Sequence, residues 1–121
     1  DKMFTVQRPG GETEERSLAV EAKMEAIKIP SIDMREARLG DAINTLQKAS
    51  IDYDDRKLPE KEKGVNFILN LQGLDTKKLA LITFSAKNMS LRDALKAVIN
   101  IANLEYRIEG AIVFIEQKKQ D

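Results

Sequence analysis

A chain of 121 residues, 42% apolar and 33% charged, has room for one compact domain with a heavily solvated surface. Lysine plus arginine equals aspartate plus glutamate, 20 against 20, so no basic field addresses nucleic-acid phosphates or an anionic membrane. There is no cysteine and no histidine, which removes disulfides, thiolate zinc sites and the commonest general base; no apolar run approaches the ~20 residues of a membrane span. The chain opens on Asp1 without a signal-peptide pattern and reads as a mature or trimmed segment, which leaves export open.

The first residues are polar and reach "RPGGE", a proline followed by two glycines that reads as a flexible joint. "EERSLAVEAKMEAI" is rich in helix formers, with its acids at the start where the helix dipole favours them. Its apolar stripe is thin (Leu18, Ala22, Met24), which predicts a helix leaning on the body or on a neighbouring domain. Residues 1–26 are therefore read as linker and helix, and 27–121 as the domain proper. "IKIPSIDM" alternates at Ile27 and Ile29, then at Ile32 and Met34 in the opposite phase. The slip falls at Pro30-Ser31, and a proline cannot donate to a ladder, so an edge strand or a bulge is expected there.

Leu39, Ala42, Ile43, Leu46 and Ala49 lie at helical spacing on one face. "DYDDRKLPEKEKG" is a charged surface loop. "VNFILNL" alternates as a strand, with Val65, Phe67, Leu69 and Leu71 on one side, and "LALITFSA" repeats the pattern through Ala80, Ile82, Phe84 and Ala86. Ser90 is the expected N-cap of a second helix, with Asp93 three positions on in an acidic capping box. Leu91, Ala94, Leu95, Val98, Ile101 and Ala102 form its stripe, and Asn103 is placed for a left-handed stop. Leu104, Tyr106 and Ile108 alternate, Glu109-Gly110 turns, and Ile112, Val113, Phe114 and Ile115 return as a strand with two apolar faces. Helix on one side and a partner or tail on the other would cover such a strand.

"LGDAINTL" and "LRDALKAV" match at their first, third and fourth positions, with aliphatic residues at the fifth and eighth. The chain thus reads as a pseudo-duplicated α+β domain, β-α-β followed by β-α-β-β, in which two units bury helix faces that one unit leaves exposed.

Chemistry is sparse. Asp52, Asp54 and Asp55 are closely spaced, but no calcium-loop glycine or distal glutamate follows, so a solvated turn is expected rather than a metal site. The basic residues of "RKLPEKEK" are interleaved with acids, as a solubilising surface is. No glycine spacing matches a phosphate loop or the GxxG clamp of an RNA-binding KH module, and nothing marks a cleft for a carboxylate pair. Tyr53 and Tyr106 follow the two helices in similar places, where packing at the core edge with the hydroxyl in water is expected over ligand stacking. No catalytic, cofactor-binding or metal-binding residue is assigned. Open sheet edges remain, at Pro30 and in the final hairpin, and Ile112, Val113, Phe114 and Ile115 are taken as the candidate interaction edge.

The segments "IPSIDMREARLGDAINTLQKAS" and "ITFSAKNMSLRDALKAVINIANLEYRIEGAIVFIE" together resemble the short N-terminal (STN) domain shared by bacterial outer-membrane secretins and TonB-dependent receptors. The family's Leu-x-x-Ala-Leu-x-x-Leu helix core is carried by Leu39, Ala42, Ile43 and Leu46, and again by Leu91, Ala94, Leu95 and Val98. Its Gly-Leu-x-Tyr step falls on Asn103, Leu104 and Tyr106, with asparagine in place of glycine. The resemblance covers residues 28–116. It implies two helices between a small three-stranded mixed sheet and a two-stranded hairpin, and a periplasmic location in a two-membrane bacterium. It further implies a non-catalytic role, docking protein partners: neighbouring domains or subunits of a ring, and inner-membrane components of a secretion or type IV pilus system. The charged loop after the first helix and the helix at residues 14–27 depart from the compact family form, and favour a secretin-like protein over a receptor signalling domain. A small-molecule regulatory domain and an enzyme domain are the readings kept from other classes.

Overall fold

The structure, a computed structural model, describes residues 9–75 and 78–118. Helix α1 spans Pro9–Ala26, β1 Lys28–Ala37, α2 Leu39–Asp52, β2 Asn66–Asn70, β3 Ile82–Ser90, α3 Leu91–Ile101, β4 Leu104–Glu109 and β5 Ile112–Gln117; a single 3₁₀ turn, Glu60–Glu62, lies in the charged loop. The class is α+β, with an N-terminal helix, a two-stranded antiparallel sheet and a three-stranded mixed sheet.

The duplication organises the sheets. The first strands of the two units, β1 and β3, pair with each other, while the second strands, β2 and β4, flank β5. β2 runs parallel to β5 and β4 antiparallel to it. The hairpin β4–β5 is thus part of the three-stranded sheet, and the two-stranded sheet joins strands far apart in the chain. Helix α2 touches β1 and β2, helix α3 touches β3 and β4, and the two helices touch each other, so both lie between the sheets. Leu46 and Val98 are fully buried, as shared burial of the two helix faces requires.

Local chemistry explains most boundaries. Ser90 Oγ accepts the Asp93 amide at 3.1 Å and caps α3. Asn103 takes φ 60 after α3, as expected of a left-handed stop. Gly110, at φ 63, opens the hairpin loop, which occupies residues 110–111, one position later than expected, because Glu109 pairs with Ile112. The slip at Pro30-Ser31 is real: both residues are exposed between buried Ile29 and Ile32. Across the ladder Lys87 and Asn88 are also both exposed, and Asn88 has φ 53. Both strands slip together, so the register is unbroken from Ile29↔Met89 to Ser31↔Lys87. A bulge appears elsewhere, between Met34 and Ala37, where Glu36 takes φ 49 and its amide donates to Thr83 Oγ1 at 3.0 Å.

Two stripes differ from expectation. Helix α1 begins at Pro9, so the expected joint at Pro9 to Glu12 is helical; over residues 17–26 the buried positions are Val20 and, as expected, Met24, continued by Ile27, while Leu18 is 70% exposed and Ala22 lies at the surface. The buried face was masked in sequence because Ser17 and Glu21 share it and spend their polar atoms on the body. In α3 Ile99 is buried and Ile101 is not. That helix packs against α1 as well as α2, which widens its buried side beyond a single stripe.

Candidate functional site

The candidate strand β5 is not an edge. It lies between β2 and β4, bonded on both sides. Val113 and Ile115 point inward and are fully buried, which leaves Ile112 and Phe114, half-buried, on the outer face. The assignment failed because a strand with two apolar faces is the signature of the middle of a sheet, and β2 arrives from a distant part of the chain to make it so.

The register assembles the outer face in rows. Asn66, Ile112 and Glu109 form one, Ile68, Phe114 and Arg107 the next, and Asn70, Glu116 and Glu105 the third. Arg107 lies over the Phe114 ring, 4.6 Å from its centre. Its Nε donates to Glu116 Oε1 at 2.6 Å and its Nη1 to Glu109 Oε2. Those bonds, Glu109 first, hold the guanidinium above its ordinary pKa. The half-buried aromatic of this face is therefore covered in part from within the sheet.

A second polar cluster fastens α1. The Tyr106 hydroxyl donates to Glu21 Oε1 at 3.1 Å, so it is not turned to water as expected. Burial raises the Tyr106 pKa, Glu21 adds to the shift and Arg92 opposes it. Arg92 Nε stands 3.0 Å from Glu21 Oε2 as an ionic contact without hydrogen-bond alignment, and its Nη1 bonds Glu25. The Tyr106 oxygen and the two carboxylates together hold the Arg92 pKa above its usual value. Ser17 Oγ donates to the Ile108 carbonyl at 3.4 Å.

The third cluster organises the loop after α2. Asp54, expected in a solvated turn, has a side chain only 6% exposed. Its Oδ2 accepts the Gly64 amide at 2.8 Å and meets Lys23 Nζ at 2.9 Å; its Oδ1 accepts the Asp55 amide at 2.8 Å. Burial raises its pKa, but these donors and the Lys23 charge outweigh burial and leave it below the ordinary value. Lys23 also donates to the Glu62 carbonyl at 2.8 Å, and fully buried Ser50 accepts the Val65 amide at 2.9 Å. The loop is fastened at both ends. No sequence signal marks these partners, because Tyr106 and Glu21 are 85 residues apart and Lys23 and Asp54 are 31 apart.

A groove of about 540 Å³ lies where the start of α2 (Arg38, Leu39) faces Leu69, Leu71 and Leu81. Among the described residues no group of three or more acidic side chains is placed to share a metal ion, and no helix is long and apolar enough to cross a membrane. The polar clusters are occupied in holding elements together; the outer strands of the two sheets among the described residues are β1 and β3, and β2 and β4. No protein-family model matches the chain, no curated protein matches it, and no solved structure matches it.

Proposed function

We propose that this chain is a non-catalytic protein–protein interaction domain, of the STN type, in the periplasmic part of a secretin-like outer-membrane assembly serving secretion or type IV pili. The observation that carries the reading is the paired arrangement of the two units. Each helix touches both sheets, the first strands pair, and the second strands flank β5. The family resemblance implies two helices held between a three-stranded mixed sheet and a smaller two-stranded one, and the two helices here lie between sheets of those sizes, although the two-stranded sheet joins distant strands instead of forming a hairpin. The three polar clusters support the same reading, since each spends its charges on fastening α1, a loop or an aromatic ring. A domain built in this way is a rigid presenter of edges and faces, and weak single contacts gain strength when many copies are arrayed.

The test is the full-length protein expressed in a two-membrane bacterium. Membrane fractionation followed by negative-stain microscopy is expected to give ring-shaped oligomers from the outer-membrane fraction. An antibody to this domain is expected to bind only after the outer membrane is permeabilised. A monomeric protein in the cytosolic fraction would overturn the reading.

A further inference from the structure

Among the described residues the four outer strands are unlike one another, and on β4 the Ile108 carbonyl already accepts from Ser17 of α1. β1 carries Pro30, Asp33 and Arg35 and bulges at Glu36; β3 carries Lys87 and the left-handed Asn88; β4 alternates Glu105, Arg107 and Glu109. Charges, prolines and bulges of this kind keep an edge from pairing with another chain. β2 has none of them. Its residues, Asn66–Asn70, read N-F-I-L-N, without charge, proline or glycine. It forms the outer edge of its sheet among the described residues. Two neighbouring large apolar side chains on it remain exposed, Ile68 at 43% and Leu69 at 37%.

The segment also reads almost the same in both directions. Laid antiparallel against itself about a two-fold axis at Ile68, it places Asn66 of one copy opposite Asn70 of the other. Ile68 then meets Ile68 on the outer face, and Phe67 meets Leu69 on the inner face. Amide faces amide, apolar faces apolar, and no like charges oppose. A slip by one residue would set an asparagine against an apolar side chain and turn it to the wrong face, so the register is defined. We propose that β2 is a self-pairing edge whose occupant is a second copy of this chain, which joins two three-stranded sheets into one of six strands. The pairing goes beyond the secretin reading and does not rest on it. A ring needs two different patches in head-to-tail contact, whereas this contact uses one patch twice. A five-residue edge buries well under the ~1,000 Å² of a stable interface, so the association is weak and concentration-dependent.

The chain has no cysteine, so single cysteines report the contact cleanly. Directly opposed residues of an antiparallel pair have Cα atoms about 4.5–5.5 Å apart, within disulfide range. Under mild oxidation Ile68→Cys is expected to form a covalent dimer at least about tenfold faster than Ser85→Cys, an exposed control on β3, by analogy with one decade of effective affinity. An equimolar mixture of Asn66→Cys and Asn70→Cys is expected to give the mixed disulfide in preference to either homodimer. In sedimentation equilibrium the unmodified chain is expected to gain mass with concentration. Ile68→Lys, which opposes two like charges at a half-exposed position, is expected to keep the fold by circular dichroism and remain a monomer. Equal crosslinking rates at residues 68 and 85, homodimers preferred in the mixture, or Ile68→Lys associating as the unmodified chain does would each overturn the proposal.

Discussion

The two halves of the duplication reach the same architecture by different means. In the second, β3–α3–β4–β5, the instructions are local: Ser90 caps α3, Asn103 stops it and Gly110 turns the hairpin, each within a few residues of the element it shapes. In the first, β1–α2–β2, the N-cap position is Arg38, which makes no side-chain cap bond, β1 is bulged, and the long loop back to β2 is fastened by Lys23 of α1. The second half is specified by its own sequence neighbourhood, and the first depends on contacts made across the fold. A duplicated unit can therefore lose its local signals on one side while the packed pair preserves the shape.

The shared core is where the two halves should be most alike, and it carries the largest effect. Leu46→Ala is expected to cost about 3–4 kcal/mol, because Leu46 is fully buried and its neighbours collapse only partly around the cavity. Chemical denaturation measures it. A loss below about 1 kcal/mol would mean that the helices do not share one core.

Next comes the contact on which the first half relies. Asp54→Ala is expected to cost about 2 kcal/mol, since it removes the acceptor of the part-buried Gly64 amide and of the Asp55 amide and the anion that pairs with Lys23. The same residue sets an acid sensitivity. Its pKa in the fold lies below the unfolded value, so its stabilisation is present above the unfolded pKa and is lost as pH falls through the folded one. Denaturation midpoints followed from neutral pH to below the ordinary carboxylate range are expected to fall less steeply for Asp54→Ala than for the unmodified chain.

The caps give a smaller and opposite pair of effects. Ser90→Ala is expected to cost about 1 kcal/mol, whereas Arg38→Ser is expected to gain roughly 0.5–1 kcal/mol by supplying the cap that α2 lacks. Equal responses would erase the contrast between local and tertiary specification. Smallest is Tyr106→Phe, expected to cost about 0.5 kcal/mol by removing the part-buried bond to Glu21 while keeping the ring in place. Thermal melts of Tyr106→Phe, Glu21→Gln and the double variant are expected to show non-additive losses, which ties the bond to the seating of α1.

What was legible before folding follows the range of each interaction. The alternation at Val65 and Phe67, the stripe of Leu39 to Ala49 and the cap at Ser90 are periodicities or contacts a few residues long, and the structure reproduces them, although Leu69, expected on the same side as Phe67, is exposed because β2 is an outer strand. On α1 Met24 was read correctly, but Val20 was missed and Leu18 and Ala22 were misplaced, because the buried side also carries polar residues whose partners lie on β4 and α3. Tyr106 and Asp54 were each given to water or to packing, and each is held by a partner that no spacing rule connects to it.

By itself the sequence determined the type of most segments, and that two related units bury their helices together, because backbone propensity, capping and hydrophobic period act over short stretches of chain; it missed the first turn of α1, where Pro9 to Glu12 are helical instead of a joint. Beyond the β4–β5 hairpin, tertiary structure alone decided which strands are neighbours. Bringing β2 beside β5 made Ile112 to Ile115 a central strand and left Asn66 to Asn70 as the uncharged edge, and strand pairing across some 46 residues leaves no local mark.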